Sequence, residues 1–142
     1  MDDDIRYQAQ VGALPVKGEP GSYRVLLVTS RETKRWIIPK GWPMKGRKDY
    51  EAAAQEAVEE AGVAGRVHKH PMGAYTYKKQ LQGSAEHIRV CHLLEVEKES
   101  DTWREKDQRQ REWVSAGEAA ARVEEPGLVE IIKRLEIGPM DA

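Results

Sequence analysis

The stretch from Gly41 to Val63, GWPMKGRKDYEAAAQEAVEEAGV, constrains the fold more than any other part of this chain. It joins a glycine-containing basic loop to a segment with a helical pattern and a defined end. Apolar residues at Tyr50, Ala53, Ala54, Ala57, Val58 and Ala61 recur at the spacing that lines one face of a helix. The spacing predicts a helix from about Tyr50 to Ala61, with Asp49 as N-cap, Glu51 in the first turn and Gly62 as a left-handed C-terminal cap.

Beside the apolar stripe stand Glu56, Glu59 and Glu60, whose separations of three and four residues make them neighbours on the helix surface. No Lys or Arg occurs between Lys48 and Arg66 to neutralise them. Like charges at this spacing oppose helix formation by roughly a few tenths of a kcal/mol per pair. Either water solvates this acidic face or a cation relieves it. In front of it Arg35, Lys40, Lys45, Arg47 and Lys48 fall within fourteen residues and lead into a helix N-terminus, where backbone N–H groups also favour negative charge, which suits a polyanionic ligand.

The net charge of -1 matters here, because it supplies no general attraction for anions and leaves any polyanionic ligand to this local cluster. Nucleic acid and anionic membrane are thereby disfavoured as partners. No apolar run approaches the roughly 18 residues of a membrane span. The N-terminus, MDDDIRYQAQ, lacks a basic leader and an apolar core, and the one cysteine, Cys91, precludes a disulfide within the chain. A cytoplasmic protein, monomer or homodimer, is the expectation. Cys91 lies in an alternating apolar run and reads as a buried, inert thiol.

The 142 residues suit one domain, 1–142, with a core over about 8–135. Strands are predicted at Tyr7 to Val16, at Tyr23 to Thr29, where VLLV reads as covered on both faces, and at Trp36 to Ile38, where Pro39 stops it. Further strands are expected at Val67 to His70, Gly73 to Lys78, Glu86 to Val96 and Arg111 to Val114. In the run from Glu86, alternation places Ile88, Val90, His92, Leu94 and Val96 on one face, and His87, Arg89, Cys91 and Leu93 on the other. A helix is expected from Ser115 to about Val123, and Leu128, Ile131, Ile132 and Leu135 form the stripe of a last helix. Strands interleaved with one central and two terminal helices suit an α+β chain, an α/β/α sandwich with a mixed sheet.

The central stretch resembles the box of the Nudix hydrolases, G-x5-E-x7-R-E-U-x-E-E-x-G-U. Gly41, Glu56, Ala57, Glu59, Glu60, Gly62 and Val63 fall at its spacing. Two positions depart, since the first Glu of the pattern is Arg47 and its Arg is Gln55. Both members of the family's supporting ion pair are therefore absent together. RVLLVTSRETKRWIIPKG before the box and REWVSAGEAA after it resemble the family's flanking strands and helix, most nearly those of its diphosphoinositol polyphosphate phosphohydrolase branch.

The resemblance implies the same sandwich and a Mg²⁺-dependent (or Mn²⁺-dependent) pyrophosphohydrolase acting on a diphosphate linked to another group. It implies Glu56, Glu59 and Glu60 as catalytic metal ligands, with the backbone carbonyl of Lys40 added. Glu56 is the first candidate for the base; Glu105, Asp107 and Glu112 are the alternatives. Arg35, Lys40, Gly41, Lys45, Arg47 and Arg89 are expected to line the substrate. Tyr75, Tyr77, Trp36 and Trp42 are available to stack on a base. The expected substrate is an inositol pyrophosphate or a dinucleoside polyphosphate. The competing reading is a non-catalytic module that binds a nucleotide or phosphorylated ligand on the same fold.

Overall fold

A computed structural model describes residues 8–79 and 84–137 of the chain. In order it forms β1 (Gln8–Lys17), β2 (Arg24–Thr29), β3 (Trp36–Ile37), β4 (Lys40–Gly41), α1 (Asp49–Ala61), β5 (Val63–Val67), β6 (Gly73–Lys79), β7 (Ser84–Glu99), β8 (Arg111–Ser115), α2 (Ala116–Arg122) and α3 (Pro126–Ile137). The strands run β3-β2-β1-β7-β5, with β4 against β1, β6 against β7 and β8 against β2. β1 pairs with β7 in parallel and with β2 antiparallel, so the sheet is mixed.

Helix α1 covers one face of the sheet and α2 with α3 the other, giving the expected sandwich. Along VLLV the side chains divide between the two cores: Val25 and Leu27 face α2 and α3, while Leu26 and Val28 face α1. All four are fully buried. On the far side Leu128, Ile131, Ile132 and Leu135 lay the predicted stripe of α3 into the core. Pro126 opens α3, a position where its missing N–H does no harm. Ser115 caps α2 by accepting from the Glu118 N–H at 3.1 Å. Cys91 is buried, and burial pushes its thiol up to about 12, far from reactivity.

Several expectations need correction. A strand over Val67 to His70 is replaced by β5, which starts directly after the Gly62 cap and ends at Val67. In β7 the alternation breaks: Gln10 lies opposite Ile88 but Val11 opposite Val90, leaving Arg89 as the extra residue of a bulge. Ile88 therefore joins Cys91 and Leu93 in the α2–α3 core, while Val90, Leu94 and Val96 stay on the α1 side. Helix α1 begins with Asp49, and Lys48 takes the cap position with extended backbone. Its N–H is satisfied by the Glu51 carboxylate at 2.9 Å. Ala53, Ala57 and Ala61 are buried as predicted, but Val58 is 42% exposed and Glu60 takes the inward position instead. Tyr7 and the chain before it lie outside the described residues. Among those described, no helix is long and apolar enough to cross a membrane.

Candidate active site

The site forms where β4 meets the middle of α1. β4 pairs with β1, Gly41 opposite Val11 and Lys40 opposite Gly12, and this brings the Gly41 backbone against the helix. Glu56 occupies the space that a side chain at Gly41 would fill: a Cβ there would stand 2.3 Å from the Glu56 Cδ. A side chain at Gly41 would therefore displace this carboxylate. One turn on, Glu60 is only 6% exposed and accepts the Lys40 backbone N–H at 3.2 Å.

The carboxylates of Glu56 and Glu60 act directly on each other. Burial raises both, and Glu60 reaches about 8 although Arg109 and the Lys40 N–H pull it down. The charge of Glu59 also acts on Glu56, but its carboxylate is engaged by other partners. It accepts from Gln55 Nε2 at 2.9 Å and lies 3.3 Å from Arg104. Among the described residues, no three His, Cys, Asp or Glu side chains are gathered as a ready metal site. The chemistry of the pair nevertheless fits a hard divalent cation. Two carboxylates face each other where burial disfavours charge on both, and a cation with oxygen ligands relieves that conflict. Glu59 joins them only by leaving Gln55 and Arg104.

The absence of a cation within the helix sequence is made good from a distant loop. Residues 100–110, between β7 and β8, close over the end of α1 and supply its terminal carbonyls with donors. The Glu105 N–H donates to the Glu59 carbonyl at 3.1 Å, Trp103 Nε1 to that of Glu60 at 3.1 Å, and Arg111, the first residue of β8, to that of Ala61 at 2.7 Å. Gly62 turns left-handed at φ 69°, and a Cβ there would meet Trp103 at 2.7 Å. This closure delivers Glu105 and Arg109 to the carboxylates. Arg109 Nε donates to Glu105 at 2.7 Å, and its Nη2 lies 3.7 Å from Glu60.

Of the three alternative bases, Glu105 alone is brought to the cluster, where its charge acts on Glu56. Asp107 stands exposed on the loop, and Glu112 is bound by Arg122 at 2.9 Å on the opposite face of the sheet. Lys40 sends its ammonium toward Gln10, 3.4 Å away. Lys45, Arg47 and Lys48 are exposed together before the N-terminus of α1. Arg35 is not brought to the carboxylates; Glu125, in front of α3, holds it at 2.5 Å. The side chains of Arg89, His87 and Tyr77 lie outside the described residues. Tyr75 is buried and Trp36 packs beneath Arg122, whereas Trp42 is 50% exposed.

Arg109, Arg111 and Trp103 are the residues that sequence reasoning missed. Their signals are weak but physical. A lone tryptophan in a loop of charges needs a hydrophobic contact, and arginines two apart at the start of a strand share a face.

A NUDIX domain model matches residues 6–135. The chain is 35% identical over 125 residues to Nudix hydrolase 4 of Arabidopsis thaliana, covering 82% of this chain and 59% of that protein. It is 32% identical over 117 residues to Nudix hydrolase 21, chloroplastic, of the same plant, covering 80% and 58%. The chain thus spans less than two thirds of these relatives. Among solved structures, a C. elegans Ap4A hydrolase binary complex superposes with a TM-score of 0.67 at 17% identity, covering 91% of this chain and 95% of that one. The NUDIX domain of Shewanella oneidensis NrtR, complexed with ADP ribose, gives 0.68 at 11% identity, covering 94% and 90%. At these identities the likeness is one of fold.

Proposed function

The chain belongs to the Nudix family, and on that premise we propose that it is a metal-dependent hydrolase of a phosphoanhydride bond. The observation that carries the proposal is the Glu56–Glu60 pair, a half-buried carboxylate set against Gly41 and a buried one that accepts the Lys40 N–H. Such a pair is a poor structural element, because burial without a cation forces one member to keep its proton. Glu56, Glu60 and, after a change of rotamer, Glu59 would hold Mg²⁺ or Mn²⁺, with the Lys40 carbonyl added. When bound, the metal supplies shielding of phosphate charge and lowers the pKa of a bound water.

The chain's own residues do the rest. Lys45, Arg47 and Lys48 bind the remaining phosphate charge, and exposure leaves them free to follow an extended polyanion. Glu56 and Glu105 are the proton acceptors within reach of the site, with Arg109 Nε donating to Glu105 at 2.7 Å. A diphosphate linked to inositol phosphate or to a nucleoside is the proposed substrate class. The three free cations in front of α1 support a highly charged substrate of the diphosphoinositol polyphosphate kind, and exposed Trp42 supports a base. A single domain, as monomer or homodimer in the cytoplasm, completes the proposal.

A second reading, a binding module without turnover, draws on one observation. Glu59 is engaged by Gln55 and Arg104. A panel of diphosphates offered with Mg²⁺ or Mn²⁺ separates the two. The hydrolase reading expects metal-dependent release of phosphate or monophosphate, reduced about 100-fold or more in Glu56→Gln and Glu60→Gln, beyond the effect of outer-shell partners. Binding of a diphosphate with no turnover on any substrate contradicts it.

A further inference from the structure

Among the described residues, the cation buried against the carboxylate pair is Arg109, whose side chain is 7% exposed. Each of its three nitrogens has a separate task. Nη1 donates to the Thr29 carbonyl at 3.0 Å, Nε donates to Glu105 at 2.7 Å, and Nη2 faces Glu60 at 3.7 Å. The Thr29 anchor is itself fixed twice: its N–H donates to the Gln110 carbonyl at 3.0 Å, and its hydroxyl accepts from the Gln110 N–H at 2.9 Å. A planar guanidinium held at one corner sets the direction of its other two. Both facing carboxylates are shielded, with side chains 8% exposed at Glu60 and 16% at Glu105.

We propose that Arg109 is the positioning residue of this site: anchored to the end of β2, it sets where the Glu60 and Glu105 carboxylates stand. It supplies from a loop the counter-charge that the helix lacks at Gln55. The proposal rests on the reading of the carboxylates as a catalytic site. Gln55 cannot do this work, since its amide is neutral and reaches Glu59. Arg104 cannot either, being 72% exposed and also on Glu59. Taking the guanidinium away leaves two shielded carboxylates close to a third, Glu56, and they separate. A mere structural strap would need only the Thr29 carbonyl. The two contacts to acids from different elements distinguish a positioning residue from such a strap.

Double-mutant cycles in the metal-free protein test this without relying on turnover. The loss of urea midpoint caused by Arg109→Gln should fall to less than about half when Glu60 or Glu105 is already Gln, because the groups form one network. With substrate and metal, Arg109→Gln should lower kcat about 10- to 100-fold with KM held within about threefold, as loss of an orienting partner does. Arg109→Lys, which keeps charge without the planar fork, should recover part of kcat, and it replaces Arg109→Gln in the cycles if that variant does not fold. Additive losses in both cycles, an unchanged kcat, or a rise confined to KM would overturn the proposal. Coupling in a wild-type protein that turns over no diphosphate supports positioning and sinks the hydrolase reading, so the two failures are distinct.

Discussion

At Glu60, burial and charge oppose each other, and the outcome is measurable in the absence of metal. Its folded-state value of about 8 stands above the ordinary carboxyl value of 4.5. A carboxyl raised on folding contributes stability that is complete below its unfolded value and is lost as pH rises through the folded one. Metal-free wild type should therefore lose stability through Glu60 between about pH 5 and pH 8.5, while Glu60→Gln, which has no proton to lose, should not. Thermal melts in chelator at both pH values check this: the variant should gain on wild type as pH rises, by on the order of 1 kcal/mol or more. Parallel pH dependence in the two proteins contradicts the burial of that carboxyl. That Glu56 and Glu60 stand one turn apart on the same helix was legible from helical spacing alone. That Glu60 is buried and Val58 exposed was not, because a carboxylate replaces an apolar residue in the inward row.

At the scale of elements, α1 is held less by its own sequence than by what closes over it. Its first turn has Asp49 and Glu51 near the positive end of the helix dipole, but its last turn has no basic residue. The loop from Ser100 supplies the missing donors, Trp103 to one carbonyl and Arg111 to the next, and the Arg111 guanidinium lies 3.9 Å from the centre of the Trp103 ring. Trp103→Phe, which keeps a ring but not the indole N–H, should destabilise by about 1 kcal/mol, and Trp103→Ala by about 3 kcal/mol. Hydrogen exchange in the last turn of α1 should rise in the same order. Equal stability of Trp103→Phe and wild type in urea would show that the indole donor does not cap the helix. Strands and helices with clean periodicity were readable, whereas this cap was not, since Trp103 and Glu60 are 43 residues apart. The Arg89 bulge was hidden for a similar reason. One extra residue reverses the faces of everything before it, and only the partner strand reveals it.

Across the whole molecule, the site lies where β4, α1 and the loop before β8 converge, so a cation bound there would join segments from distant parts of the chain. The sandwich itself follows from apolar patterning and needs no metal, as the two complete cores on either face of the sheet indicate. The proposed metal site sits at the edge of these cores, so loss of one carboxylate should weaken metal binding without unfolding the protein. Titration of Mn²⁺ into metal-free wild type and Glu60→Gln, followed by heat of binding, measures this most directly. The expected result is saturable binding by wild type and affinity at least about tenfold weaker in a variant that melts cooperatively. Equal affinity in the two proteins, or no binding by wild type, would contradict the assignment of the Glu56–Glu60 pair as a metal site.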